Sequence, residues 1–536
     1  MARVRRAGTA ELPPPTRGPE GTALSALLQA RRFRLGAGAE RVAHNLATHG
    51  GEVGADAAPW IGTMRPPTDA PTVALGTHPG TLGPRSFGFL NNVGGVAALD
   101  APLPSLPRKG GLALVVPGRD ALPDVAPLAL ARGLGLSWIV SVGDGDPAEA
   151  LAFLGADPAT RSIAVVLGDG ADGASLRRVL GVKPTVLWGG DAICRAVARR
   201  AGATVVDGLD EWLARAALLD AGVEPGAQVS VVVVGGGRGY VVRELAAAGL
   251  DAQLVAVDER VPEELAQAIA TAHDSGRPVV LVAGGPPVTP PKDDAHAPEE
   301  SDEAPRQVLS ADLRHPEHLR ALLQALAAPA PESEAERNAR PRVDKTLLER
   351  VRAEVDRELG DHDAKRLLKA YGARVTRQAP TNTPTGAMKL AKTIGLPVLL
   401  CAENDEQLAE TLPDVKRLSA LMLQAQTTAA VALPSVTVRE RFPDVPRVQA
   451  RVVHEKGLGA TLRIGEVCAL LPLSRADATL LASATAARRA ADQRAVADLL
   501  GKIAACAAAE DATLEVELFV GAEPAILSAK GSIKRP

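Results

Sequence analysis

Between Gly111 and Ala214 the chain alternates short apolar runs with stretches of helical spacing. The runs fall at 111–116, 136–141, 162–167, 184–188 and 203–206. Runs this short, separated by helix-length segments, predict parallel strands covered by helices on both faces. In such sheets ligands collect beyond the carboxyl ends of the strands, and a phosphate there needs bare glycine or serine amides at a helix start. Here the first corner carries Pro117 and Arg119, and the fourth runs from Trp188 straight into Gly189 and Gly190. The pattern is that of an enzyme scaffold whose corners lack the matching chemistry.

Hydrophobic residues make up 46% of the 536, enough for several cores, but aromatics are only 2%, so those cores are built of Ala, Val and Leu. A formal net charge of −3 argues against a nucleic-acid partner and against an anionic membrane surface. Cys194, Cys401, Cys468 and Cys506 are far apart with no C-x-x-C pair, so neither a disulfide framework nor a zinc knuckle is predicted. No apolar run is long enough to span a bilayer, and the basic start lacks a signal-type apolar stretch. A cytoplasmic protein is expected.

Composition divides the chain further. Residues 1–20 read as a disordered tail, and 21–108 as a short, Pro/Gly-interrupted segment with helix-like stretches at Ala23–Phe33 and Ala39–His49. A first parallel-sheet domain is expected over 109–222 and a shorter one over 223–285, where QVSVVVV, QLVAV and PVVLVA read as strands. Residues 286–308 form a linker rich in proline and acid, and 309–340 a helix and linker, with Pro316 suited to a first helical position. A different, α+β domain is expected over 341–536, with Asp361 capping the helix HDAKRLLKAY and a long Ala-rich helix from about Asp492 to Ala508.

The sharpest local motif is VVVVGGGRGYVVREL. Gly236, Gly237, Arg238 and Gly239 lie between a buried strand and a helix start, where free amides and the helix dipole can hold a phosphate or nucleotide. The same glycines would equally serve a tight turn. Asp258 ends the next strand, but Tyr240 breaks the G-x-G-x-x-G spacing of a dinucleotide site. His315 and His318 stand at i, i+3; with no third ligand evident, they read as the polar start of a helix. His78 and His454 lie beside glycines with no identifiable partner. Glu515 and Glu517 alternate along LEVEL and share one sheet face, either an exposed polar face or a magnesium site.

Taken in order, several segments resemble the NDP-forming acyl-CoA synthetases, the superfamily of ADP-forming acetate–CoA ligase and succinyl-CoA synthetase. TLGPRSFGFLNN is similar to the segment closing that family's CoA-binding domain. GADPATRSIAVVL, GGDAICRAVARRAGATVVDGLDEWL and VVVVGGGRGYVVRELAAAGL resemble successive units of its flavodoxin-like domains. HDAKRLLKAYGARVT, IGLPVLL and LRIGEVCALLPLSRADATLL resemble parts of its ATP-grasp domain. The resemblance implies flavodoxin-like (succinyl-CoA synthetase-like) parallel-sheet domains, a remnant of a CoA-binding domain over 21–108, and a reduced α+β ATP-grasp-like domain. ATP/ADP, Mg and CoA are the cofactors it implies.

That family relays a phosphoryl group through a histidine. The loop carrying it would fall between PTVLW and GGDAICRAVARRAG, and no histidine lies between His78 and His273. The orienting glutamate falls on Gly168 beside Asp169, and the ATP-grasp lysine on Cys401. Phe519 takes the late asparagine, leaving Glu517 as a candidate metal ligand, and no Rossmann-type nucleotide turn is recognisable near the start. The expectation is a degenerate member that binds or scaffolds as a pseudoenzyme, with a paralogous synthetase or a second copy of itself as partner. The alternatives are an active ADP-forming acid–CoA ligase or a subunit of one, and a nucleotide- or phosphometabolite-binding regulator.

Overall fold

The computed structural model describes residues 23–36, 38–54, 59–62, 71–75, 81–118, 125–168, 171–234, 238–250, 252–257, 267–272, 277–283, 308–312, 314–327, 343–354, 357–402, 405–429, 433–442 and 446–534. They fall into two compact units, 1–331 and 332–536.

The first unit holds three sheets. The first comprises β1 (Arg32–Leu35), β2 (Glu52–Val53), β3 (Trp60–Gly62) and β4 (Thr72–Ala74), all parallel, in the order β2-β1-β3-β4. The helical reading of Ala23–Phe33 is therefore corrected. The helix stops at Gln29, and Phe33 is the fully buried centre of β1. With arginines on both sides of Phe33, β1 has no apolar run to announce it.

The second sheet adds β5 (Gly88–Asn91), β6 (Val96–Leu99), β7 (Arg108–Pro117), β8 (Gly135–Gly143), β9 (Ser162–Leu167), β10 (Thr185–Gly189) and β11 (Thr204–Val206). Its order is β11-β10-β9-β7-β8-β5-β6. The five strands from β7 onward are parallel, as their buried apolar runs predict. β5 and β6 close the edge as an antiparallel hairpin, so this sheet begins before the expected boundary at 108. Asn92 pins the hairpin turn by donating to the carbonyls of Pro107 (3.1 Å) and Leu136 (2.9 Å).

The third sheet, β13 (Ala252–Val257), β12 (Val229–Val234), β14 (Val279–Ala283) and β15 (Val308–Asp312), is wholly parallel. β15 lies beyond the acidic, proline-rich stretch of sequence, so the sheet extends past the expected end at 285. The helix Pro316–Ala327 packs on the helices Leu209–Ala221 and Arg238–Ala248.

Asp220, near the end of the Leu209–Ala221 helix, accepts from Gly135 N (2.8 Å) and Arg108 Nη2 (2.6 Å). Burial pushes its carboxyl above the usual range, and Arg108 only partly opposes this. The folded state then keeps a proton that the unfolded chain has lost. This contribution is fully present below about pH 3.9, the unfolded value, and is lost as pH rises through the folded one. Asp220→Asn is accordingly expected to gain stability relative to the native chain as pH climbs out of the acid range. Urea unfolding of both proteins at a series of pH values tests this, and a pH-independent difference would contradict it.

The second unit holds two antiparallel sheets. One comprises β16 (Glu358–Leu359), β21 (Arg447–Glu455), β22 (Gly459–Ile464), β23 (Val467–Leu470), β24 (Ala512–Phe519) and β25 (Ala525–Ile533), in the order β16-β25-β24-β21-β22-β23. The other comprises β17 (Gln378–Thr381), β18 (Val398–Ala402), β19 (Asp405–Ala409) and β20 (Val436–Glu440), in the order β17-β20-β18-β19. Helices Ala490–Glu510 and Asp361–Ala370 pack in the core of the larger sheet, and Pro384–Ile394 and Leu412–Thr428 in that of the smaller. The whole is α/β, with parallel sheets in one unit and α+β in the other. No helix among the described residues is long and apolar enough to cross a membrane.

Candidate functional site

At the carboxyl end of the second sheet, β10 turns into the helix Ala192–Arg200 through Gly189 and Gly190, with φ of 81° and 72°. A Cβ on Gly189 would lie 2.5 Å from the Leu167 carbonyl oxygen, so only glycine fits this corner. Asp191 then caps the helix, its carboxylate accepting from Cys194 N at 2.7 Å. One strand along, Asp172 caps the helix Gly173–Val179 by accepting from Ser175 N at 2.8 Å. Amides that could face a phosphate are thus occupied by carboxylates, which would also repel it. Cys194 beside them is no nucleophile: burial, then Asp191, pushes its thiol up to about 12. Gly168 packs close to Pro117, while Arg119 and Asp169 lie outside the described residues.

The glycine-rich turn is only partly in view. Gly236 and Gly237, like Asp258 and His78, lie outside the described residues. Arg238 and Gly239 begin the helix Arg238–Ala248 and are exposed. A second glycine turn was not legible in the sequence. Gly36 follows β1, and Gly38, with φ of 75°, precedes the helix Glu40–His49. Strand β1 thus passes through a glycine pair into a helix at a corner of a parallel sheet, and Ala37 between the glycines lies outside the described residues. No side chain caps that helix at Ala39, unlike the two aspartate-capped helices. The signal that could have found it was the G-x-G of LGAGAE, hidden because β1 reads as charged.

The second unit carries a cleft of about 720 Å³ between its two sheets. One wall is the polar face of β21, β24 and β25. Cross-strand register sets Gln449 opposite Glu517, Arg451 opposite Glu515, and Lys530 on the far side of Glu515. Lys530 Nζ stands 3.0 Å from Glu515 and holds its carboxyl below the usual range. Glu517, the candidate metal ligand, lies 3.6 Å from Arg447 Nη1 and accepts from Ser528 Oγ at 3.3 Å.

Asp361, expected as a cap, stands one residue inside its helix, with Gly360 at the cap position. Its carboxylate turns to the cleft instead, accepting from Ala529 N (2.8 Å), Gln378 Nε2 (2.6 Å) and Lys365 Nζ (3.0 Å). Lys365 is 3% exposed, and burial lowers its pKa against the pull of Asp361. Facing it, Cys401 donates to Glu406, which is ion-paired with Arg439. Burial raises the Cys401 thiol.

Sequence reading missed Lys365 because a lysine in the middle of a helix ordinarily faces solvent. The cleft lining carries Arg439, Arg451 and Lys530 against Asp361, Glu515 and Glu517, so its charges balance. Every one of those carboxylates already has a cation of this chain beside it. Carboxylates paired in this way suit magnesium poorly, since it takes unneutralised ones. His454 is elsewhere engaged, its Nε2 2.6 Å from Asp511.

No protein-family model matches the chain, and no curated protein matches it in sequence. Solved structures do resemble it. One is the Ca. Korarchaeum cryptofilum dinucleotide-forming acetyl-coenzyme A synthetase 1 in complex with coenzyme A, Ca-AMPCP and HgCl+, at 15% identity and a TM-score of 0.31, over 36% of this chain and 100% of that one. The same enzyme with phosphate and ADP aligns over 56% of this chain and 96% of its own, at 14% identity and a TM-score of 0.40. A Pyrococcus horikoshii OT3 protein aligns over 57% and 98%, at 15% identity and a TM-score of 0.42. Likeness at this level is partial and assigns no residue a role.

Proposed function

We propose that this chain is an acyl-CoA synthetase-like protein that binds an anionic ligand but relays no phosphoryl group, and serves as a binding or scaffolding component. The observation that carries this reading is the corner from Trp188 to Asp191. Where the resemblance would put a nucleophilic histidine loop, two left-handed glycines pass directly into a helix whose amide is taken by Asp191. A phosphoryl relay needs an imidazole nucleophile at a site of positive potential, and this corner offers a carboxylate and a protonated thiol. The cleft in the second unit supports the binding half of the proposal. Arg439, Arg451 and Lys530 in its lining offer contacts for the phosphate of a ligand, and the uncapped start of the Glu40–His49 helix offers a second place for an anion.

The test is incubation of the full chain, free of paralogous enzymes, with γ-labelled ATP, CoA and a carboxylate. The expected result is no acid-labile protein phosphate and no ADP above background. Acid-labile label on this chain would overturn the proposal in favour of an active ligase.

A further inference from the structure

We propose that His315, Glu317 and His318 form a binding site for a divalent transition-metal ion, best matched by zinc, which Asp210 completes from the neighbouring helix. His315 Nδ1 lies 3.4 Å and His318 Nε2 3.7 Å from the same Glu317 oxygen, Oε1. The ligand atoms of the three residues all lie within 4.8 Å of one another. The two imidazoles stack with centroids 4.8 Å apart and planes 21° from parallel, so both rings bring a nitrogen to one side of the helix start. Zinc bonds of about 2.0–2.2 Å in a tetrahedron set ligand atoms about 3.3–3.6 Å apart. The two histidine–Glu317 separations meet that, and the group as a whole, spread over as much as 4.8 Å, must close by about 1 Å through side-chain rotation.

The fourth group comes from the helix Leu209–Ala221. Asp210 Oδ1 stands 3.5 Å from His318 Nε2, the nitrogen that also faces Glu317. Arg132 Nη2 donates to Asp210 at 2.9 Å and holds that carboxylate in place, the kind of outer contact that orients metal ligands. His318 is the more buried of the two imidazoles, with 17% of its side chain exposed. Two imidazoles with carboxylates suit zinc, nickel or copper, whereas magnesium and calcium take oxygen ligands. The i, i+3 histidines alone gave no third ligand. Folding supplies two, Glu317 between them and Asp210 from far earlier in the chain. A bound ion would tie the helix Pro316–Ala327 to the helix Leu209–Ala221, so its effect is structural.

The experiment uses the full-length, untagged chain stripped of metal. Zinc titration followed by calorimetry and by competition with a chromophoric chelator is compared with the His315→Ala/His318→Ala double variant. The native chain is expected to bind one more zinc than the variant, and to melt several degrees higher with zinc but not with magnesium. Cobalt in place of zinc should give the visible absorption of a four-coordinate N/O site, absent in the variant. Asp210→Asn is expected to weaken zinc about tenfold. His315 is more than half exposed, so a His315→Ala single variant should melt with the native chain when both are metal-free yet lose zinc affinity, which separates lost binding from lost folding. Equal zinc stoichiometry in the two proteins, or no zinc on the native chain, overturns the proposal.

Discussion

Replacing Trp212 with alanine is expected to destabilise the first unit by about 3–5 kcal/mol, while replacing it with phenylalanine should cost far less. Trp212 is fully buried, on the helix Leu209–Ala221 that covers the second sheet. It packs in one cluster with Leu112, Leu114, Val116, Val186 and Val206 from β7, β10 and β11. In a chain with so few aromatic residues, the small neighbours cannot collapse into the space an indole leaves. The indole N–H has no hydrogen-bond partner among the described residues. Phenylalanine therefore removes an unsatisfied donor along with some volume, which offsets part of the lost packing. Urea unfolding followed by circular dichroism distinguishes the two variants. Equal losses would mean that the indole N–H is satisfied in solution, and a negligible loss for alanine would refute the packing argument.

The second large effect is expected at Glu510, in the other unit. Glu510 ends the long helix Ala490–Glu510 with its side chain almost buried. Its carboxylate accepts from Arg352 through Nε (3.1 Å) and Nη2 (2.7 Å), and also from the buried Tyr371 hydroxyl. Three helices are joined at this one group, and burial followed by the Glu510 contact raises the Tyr371 phenol well above its ordinary value. Glu510→Ala removes the acceptor of a buried hydroxyl and one partner of a half-exposed guanidinium that water can reach. The hydroxyl carries most of the penalty, so the expected loss is about 2–3 kcal/mol. Tyr371→Phe removes donor and contact together and should cost about 1 kcal/mol. Chemical denaturation of the two single variants and the double checks this. Fully additive losses would show that Tyr371 and Glu510 are not coupled.

What could be read from the sequence follows from where burial is two-sided. β7 to β10 and β12 announce themselves because both faces are covered and nearly every residue is apolar. β1 and the β5–β6 hairpin did not, because four residues interrupted by arginine, or flanked by asparagine and glycine, carry no periodic signal. The glycine turn after β1 was lost with its strand. The residues standing at Gly168, Trp188 and Cys401, where the resemblance would place or flank relay groups, were visible as residue identities. The pairing of cleft carboxylates with cations across strands was not, since Arg447 and Glu517, or Glu515 and Lys530, meet only when β21, β24 and β25 align. The histidines of the proposed metal site were seen for the same reason that their partner was missed. Spacing along one helix is local, and Asp210 arrives by packing.

The placement of β15 bears on how this protein can be divided. Val308–Asp312 hydrogen-bonds in parallel along β14 from Val279 to Ala283, on the far side of the acidic stretch. A piece cut at position 285 would leave the valine-rich β14 as a bare margin, the kind of surface on which chains stick to one another. The smallest self-contained portion of the first unit accordingly runs on to Ala327, so a cut piece must keep the acidic stretch of sequence between β14 and β15.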